Sequence, residues 1–397
     1  MSTYRYVVTN ALTGALMADS VPLVVASASM AINGVGQLDG YLDLQSGSPF
    51  VRALIPDQSF IWMLQDGYPV WCGIFADSDH RSIKDHQYPV TAYTVESIMA
   101  ARQIRAALNY VDLDIFTIAR NLVAYATSPG LGPNAQISSL MTGTHLSGVI
   151  DSQTFGVSNT LTAGGDTYTG TYTDNQAVSD ALSTFADADN FEYNFAPRLM
   201  NGVLECVFRL GYPALGRYNS PAITLLHPGQ VLDYGRPVMR SQAANDIQGT
   251  AAANGTGATF VSQPGYGLDT ADLAQGNILR QTAVTWGGTG PTSQAQVDQW
   301  TQSQVARFTA GTMVPTIVLG GGTQPSLTEI GLGDAFNFAA TSDLDPPGPG
   351  GAPGLQVTAR MVGWSLQPPG PGGQPEELTI TCGALLGSTG IGGVGTP

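Results

Sequence analysis

Apolar and polar residues alternate along most of this chain, and helical periodicity is confined to a few stretches. Tyr4–Thr9 sets aromatic and apolar residues against polar ones and predicts a strand. Val21–Asn33 is a longer β-type run, and Tyr41–Leu44 is expected to follow a turn at Gln37-Leu-Asp-Gly40. The sharpest local signal is Phe60–Leu64, then Asp66-Gly67, then Val70–Phe75. Two apolar runs around a dipeptide that tolerates positive φ at both positions predict a hairpin. The chain to about Val95 therefore reads as antiparallel β.

The period then changes. Val95–Leu108 is rich in Ala and Arg and predicts a helix. Asp112 or Asp114 caps a second one, whose Ile115, Ile118, Ala119, Leu122, Val123 and Ala126 recur at helical spacing. Gly130–Gly170 is polar and reads as a long loop, before a third helix that buries Ala177, Val178, Ala181, Leu182 and Phe185. Strands Phe191–Ala196 and Val203–Leu210 follow, joined at Met200-Asn-Gly202. After Pro221 the β pattern returns, with strands expected at Ile223–Leu226, Asp246–Ala253, Thr312–Leu319 and a closing hairpin of Leu355–Leu366 with Leu378–Cys382. One helix interrupts it, Gln294–Phe308, with Val297, Trp300, Val305 and Phe308 on one side. The Pro/Gly runs Asp345–Gly354 and Pro368–Pro375 cannot be strand interiors, because proline lacks a donor and fixes φ. The expected class is mainly β with an α+β insertion. The expected divisions are residues 1–95, 96–220, 221–386 and a flexible tail at 387–397.

Composition sharpens this picture. Of the 30 acidic residues 24 are Asp, and 49 Gly and 25 Pro accompany them, which favours turns and short strands over long helices. The net charge is −15, and the only lysine is Lys84. No basic stretch is interleaved with aromatics, so phosphate-gripping nucleic-acid binding is disfavoured. Cys72, Cys206 and Cys382 have neither disulfide-framework nor zinc spacing and read as buried, reduced thiols. No signal peptide is expected at the N-terminus, and no apolar run is long enough for a membrane helix.

The search for chemistry returns structural readings. Gly390-Ile-Gly-Gly-Val-Gly395 matches a dinucleotide fingerprint but lacks the following helix and acid. Asp77, Asp79, His80, Asp85 and His86 have metal-ligand character, yet Arg81 and Lys84 supply counter-charge as in a solvated loop. Asp187-Ala-Asp-Asn190 opens like a calcium loop but has Glu192 and Arg198 where Gly and an acid are needed. Glu376 and Glu377 are the nearest approach to a glycosidase pair. Trp62, Trp71, Trp286, Trp300 and Trp364 lie in apolar segments and read as core. Asp334, in Gly331-Leu-Gly-Asp334, is expected to bond to the backbone two residues on as a turn residue, replaceable by Asn. No catalytic, cofactor-binding or metal-ligating residue is expected, and no cofactor.

Several stretches, in order, carry a family resemblance. They are Tyr4-Arg-Tyr-Val-Val-Thr-Asn-Ala-Leu-Thr-Gly14, Val70-Trp-Cys-Gly-Ile-Phe75, Asp189–Tyr193 and Leu210-Gly-Tyr-Pro-Ala-Leu-Gly216. Ala243–Gly249, Leu332-Gly-Asp334 and Arg360-Met-Val-Gly-Trp364 with Glu377-Leu-Thr-Ile380 complete the set. Together they resemble the tail hub, or minor tail, proteins of long-tailed (siphovirus-type) bacteriophages of actinobacteria. The resemblance implies two tail-tube-like β-barrels per subunit: the first mainly in 1–95, the second in 221–386 with Ala243–Gly249 entering it. It implies a homotrimeric ring at the virion tail tip, assembled in the host cytoplasm, that adapts six-fold to three-fold symmetry. The implied partners are the tail tube or distal tail protein above, with other minor tail proteins, the tape measure protein or fibres below. Double-stranded DNA would pass without specific binding, and the chain would not insert into a membrane. The alternative is a carbohydrate-binding tail-tip protein for host-surface adsorption.

Overall fold

The computed structural model describes residues 2–77, 86–104, 108–127, 167–172, 176–189, 191–211, 214–217, 220–221, 223–235, 244–252, 259–274, 276, 278–285, 293–309, 316–321, 325–370 and 373–383. The first β unit contains β1 (Tyr4–Asn10), β2 (Leu16–Ala18), β3 (Leu23–Ala31), β4 (Gln37–Asp43), a helical turn α1 (Leu44–Gly47), β5 (Ser59–Gln65), β6 (Tyr68–Asp77) and β7 (Gln87–Tyr93). These strands pair antiparallel in the order β3-β4-β7-β6-β5-β1-β2. The expected hairpin joins β5 and β6, with Asp66 at φ 51° and Gly67 at φ 86°, the mirror-image turn that matches strand twist. Gln37–Gly40, read as a turn, lies instead inside β4. Gly40 is there for close approach, not for turning: a Cβ would stand 2.5 Å from the Val24 carbonyl oxygen, beside the bulge of β3 between Val25 and Ser27.

The insertion comprises α2 (Glu96–Ala101), β8 (Leu108–Asp114), α3 (Ile115–Thr127), β9 (Thr167–Tyr172), α4 (Val178–Asp189), β10 (Glu192–Met200) and β11 (Val203–Gly211). The helix expected to reach Leu108 stops at Ala101, where the chain becomes extended at Arg102 and bonds to the segment before α4. Asp114 caps α3, accepting from the Thr117 N–H at 3.0 Å. The β10–β11 hairpin turns at Asn201 and Gly202, both at positive φ.

Downstream come β12 (Thr224–His227), β13 (Val231–Gly235), β14 (Asp246–Ala252), β15 (Thr259–Val261), α5 (Thr270–Ala274), β16 (Gln281–Thr285) and α6 (Gln294–Thr309). The chain closes with β17 (Thr316–Gly320), β18 (Ala335–Ala340), β19 (Leu355–Gln367) and β20 (Glu377–Gly383). The expected closing hairpin is β19–β20. Six of these strands form a second β unit, β13-β17-β20-β19 with β18 beside β19 and β12 parallel to β18. The two units share one 13-stranded sheet. Strand β19 makes the join. Along one edge it pairs first with β18, through Leu355–Arg360, then with β3, through Gly363–Leu366. A bulge between Met361 and Gly363 marks the change, which fits the added twist that bulges give.

Of the stretch Ala243–Gly249, Ala243 lies outside the described residues and Asp246–Gly249 does not enter this sheet. β14 pairs with β15 and β16 in a separate three-stranded sheet, under α6. Of the expected face of α6, Val297 is buried, Trp300 and Val305 are half-buried and the Phe308 side chain lies outside the described residues, while Asp298, Thr301 and Gln304 are buried as well. The helix approaches β14 at Gly249, where a Cβ would overlap the Thr301 hydroxyl. So close a contact selects small and hydrogen-bonded residues over aromatic ones. Thr301 donates to the Val297 carbonyl at 2.8 Å, and Asp298 accepts from the Gln263 N–H at 2.8 Å.

Two apolar cores follow. One runs continuously through both β units, from Val8 and Trp71 to Trp364 and Ile380. The other lies between the first unit and the insertion. Strand β5 serves both: Ile61 and Met63 face the first core, Phe60, Trp62 and Leu64 the second. Burial on both faces explains its uninterrupted apolar run.

Candidate functional site

The polar groups with the most developed geometry lie where the insertion rejoins the second β unit. The exit segment Ala214–Arg217 follows β11, and the turn Gly331–Asp334 precedes β18. The two segments cross backbone to backbone. Gly216, at φ 73°, leaves no room for a Cβ, which would lie 2.5 Å from the Gly333 carbonyl carbon. Gly333, at φ 92°, is matched against the Leu215 carbonyl in the same way.

Charged side chains fix this crossing. Asp334, 3% exposed, accepts at Oδ1 from the Arg217 N–H (2.8 Å) and Nε (3.2 Å). Its Oδ2 accepts from Arg217 Nη2 (2.7 Å) and the Gly331 N–H (3.0 Å). Arg217 Nη2 also reaches the Glu329 carbonyl at 3.1 Å. Burial alone would raise the Asp334 carboxyl, but the bonds from Arg217 and Gly331 outweigh it and hold the group below the usual carboxylate range. The same pairing raises the Arg217 guanidinium. One turn earlier, Leu215 N–H donates to Glu192 Oε2 at 2.9 Å, and the buried Arg360 grips both oxygens of Glu192, with Nη1 at 2.8 Å from Oε2. Glu192 opens β10 and Arg360 sits on β19, so this fork ties the insertion to the strand that joins the two units.

The arrangement suits a mechanical joint. With four donors on one carboxylate, Asp334 has no lone pair directed at a substrate. Its local backbone bond comes from Gly331, three residues before it, and not from the backbone two residues on. Its larger partner is Arg217, 117 residues away in sequence, which no local pattern signals.

The other sequence candidates fall into separate places. Glu376 is buried, accepting at Oε1 from Ser2 Oγ and Gln65 Nε2, each at 3.2 Å, and so ties the chain start to the second unit. Glu377 begins β20, opposite Gly320 and Gln367. Asp345 anchors its Pro/Gly loop by accepting from the Tyr234 hydroxyl at 2.7 Å. Asp77 ends β6 and His86 precedes β7, while Asp79, His80 and Asp85 lie outside the described residues. So do Gly390–Gly395, the tail at 387–397, Trp286 and most of Gly130–Gly170. Trp62, Trp71 and Trp364 are buried, the first two with indole N–H groups bonded to Thr9 and to the Ser29 carbonyl. Asp187 and Asp189 belong to the last turn of α4. All three cysteines are free and buried.

A second polar site faces the first β unit. Glu96, at the start of α2, is buried and accepts from the Phe195 N–H at 3.1 Å through Oε1. Oε2 has no hydrogen-bond partner, and no ion pair reaches the group among the described residues. Burial pushes this carboxyl up to about 7. It lies close to Cys72, whose thiol contacts Cys206 across the interface and is itself raised by burial.

No protein-family model and no curated protein sequence matches the chain. Solved structures do. A tail protein from Neisseria meningitidis MC58 superposes with a TM-score of 0.58 at 12% identity, covering 96% of this chain and 97% of that one. The 43 kDa tail protein of prophage MuSo2 from Shewanella oneidensis gives 0.55 at 10% identity, over 96% and 98%. Prophage tail protein gp18 from Listeria monocytogenes EGD-e gives 0.50 at 10% identity, over 95% and 94%. The mainly β architecture with its α+β insertion is therefore, along nearly its whole length, the fold of these tail proteins.

Proposed function

We propose that this chain is a structural, non-catalytic hub at the distal end of a long phage tail. The observation that carries this reading is the end-to-end fold correspondence with the Neisseria tail protein, over 96% of one chain and 97% of the other. The finer reading is a homotrimeric ring. Two β units per subunit, held in one sheet by β19 and β3, would place six such units around an axis in a trimer. That arrangement would meet a six-fold tail tube or distal tail protein above and three-fold parts below: other minor tail proteins, the tape measure protein or fibres. The edges at β2 and β13, unpaired among the described residues, would be covered by such assembly. The net charge of −15 suits a conduit that repels the DNA backbone over a Debye length of about 8 Å at physiological salt. An actinobacterial long-tailed phage is the source this reading favours. Among the described residues no helix is long and apolar enough to cross a membrane.

Mass photometry of the purified protein, followed by a cryo-EM map of the tail tip, tests the proposal. Three copies around an acidic inner wall are expected. A persistent monomer, six copies in the map, or a neutral or basic wall would sink the ring-and-conduit reading.

A further inference from the structure

Among the described residues the small sheet β15-β14-β16 pairs with no strand of the main sheet, and α6 packs against β14 and β15. Ile247 and Ala251 are buried on the helix side, whereas Gln248 is exposed on the other. The chain leaving β15 returns along β14. Ser262 N–H donates to the Gly249 carbonyl at 2.8 Å, the Gly249 N–H to Ser262 Oγ at 2.9 Å, and the Ile247 N–H to the Gly267 carbonyl at 2.9 Å. Between these attachments Gln263–Tyr266 arches outward. A groove of about 680 Å³ is bounded by this arch, by Asp246–Gln248 of β14 and by Gln281–Ala283 of β16. That volume falls within the ~300–1,000 Å³ usual for small-molecule sites.

The chemistry of the walls narrows the ligand class. Three residues with amide side chains (Gln248, Gln263 and Gln281) line the groove, with Ser262, whose hydroxyl already accepts from the Gly249 N–H, and Thr282. Among the described residues Asp246 is its one ionisable side chain and neither Lys nor Arg lines it, so an anionic ligand would meet repulsion. Ile247, Pro264, Leu268 and Ala283 share the walls with these polar residues, a mixture that a wholly apolar lipid would leave partly unpaired and that a sugar ring, with C–H faces beside its hydroxyls, can match. Amides offer donor and acceptor side by side, the pattern that vicinal sugar hydroxyls match. Gln281 Nε2 is held on Asp246 Oδ2 at 2.7 Å, which orders two wall residues before a ligand arrives. We propose that this groove binds a neutral saccharide, with Gln248, Gln281 and Asp246 as its principal hydrogen-bonding residues. This goes beyond the structural role and does not depend on it.

Saturation-transfer NMR and calorimetry on the full chain test the proposal. The probes are the methyl pyranosides of glucose, galactose, mannose and N-acetylglucosamine, with methyl glucuronide as the anionic control. At least one neutral probe should bind saturably, and the glucuronide should not. The double variant Gln248→Ala/Gln281→Ala should weaken binding at least about tenfold, the sum of two lost hydrogen bonds, with an unchanged melting curve. If that variant unfolds, Gln248→Ala alone carries the comparison. Absence of binding by every neutral probe at about 10 mM, where weak sugar sites are already populated, would overturn the assignment. So would undiminished binding by the folded variant, or preference for the glucuronide.

Discussion

The insertion is held on two sides by opposite means. Toward the second β unit it is held by charge: Arg360 on Glu192, and Arg217 on Asp334, around a crossing of two glycines. Toward the first unit it is held by an apolar layer of Trp62, Phe116, Phe191, Phe195 and Phe208, in which Glu96 is a buried carboxyl with one oxygen unpartnered among the described residues. Ion pairs are directional and fix one geometry, whereas an apolar layer resists separation but tolerates small slides. The contrast identifies the charged side as the one that sets orientation, and the apolar side as the one that supplies cohesion.

The largest effect should come from cutting the buried fork. Arg360→Met leaves Glu192 charged and without two of its three donors, and should cost about 3–5 kcal/mol, the usual loss when one partner of a buried pair is removed. Urea unfolding measures it. A loss no larger than that of a surface pair would remove the charged clamp from the comparison.

Glu96 should show the reverse sign and a pH signature. Its folded-state carboxyl titrates near 7 against an ordinary 4.5, so the folded state keeps a proton that the unfolded chain releases. Stability from this group is complete below pH 4.5 and is lost as pH rises to about 7. Glu96→Gln, which still accepts from Phe195, should stabilise the protein by about 3 kcal/mol at pH 8 and by almost nothing at pH 4. Equal effects at the two pH values would mean that the carboxyl is compensated by a cation in the fold.

Asp334→Asn should cost about 2 kcal/mol, because the new amide N–H groups would face Arg217 Nη2 or the Gly331 N–H, donor against donor. The turn alone predicts tolerance of Asn, so thermal unfolding of this variant separates a local turn role from the clamp. The smallest effect is expected at Arg5–Asp19, where the side chains are 49% and 63% exposed. Arg5→Gln should change stability by less than about 1 kcal/mol, and the change should vanish in high salt. A loss comparable to that of Arg360→Met would erase the distinction between buried and exposed pairs.

Local signals in the sequence determined local structure. Asp66-Gly67 and Asn201-Gly202 dictate their hairpins because both positions need positive φ, and Asp114 caps α3 because its carboxylate reaches the Thr117 N–H. The alternation and the apolar runs also determined the β–insertion–β order, since burial on one or two faces writes itself into the period. What depended on distant partners was decided only in three dimensions. Gly40 looks like a turn residue and is a contact with β3; Ala243–Gly249 looks like a strand of the main sheet, and its Asp246–Gly249 builds a separate one under α6. Asp334 reads as a turn acid and Glu192 as a residue of the strand Phe191–Ala196 until Arg217 and Arg360 are brought to them across 117 and 168 residues. A charge pair has no period along the chain. Its partner is chosen by the path of the backbone, and that path is fixed by packing of the whole molecule.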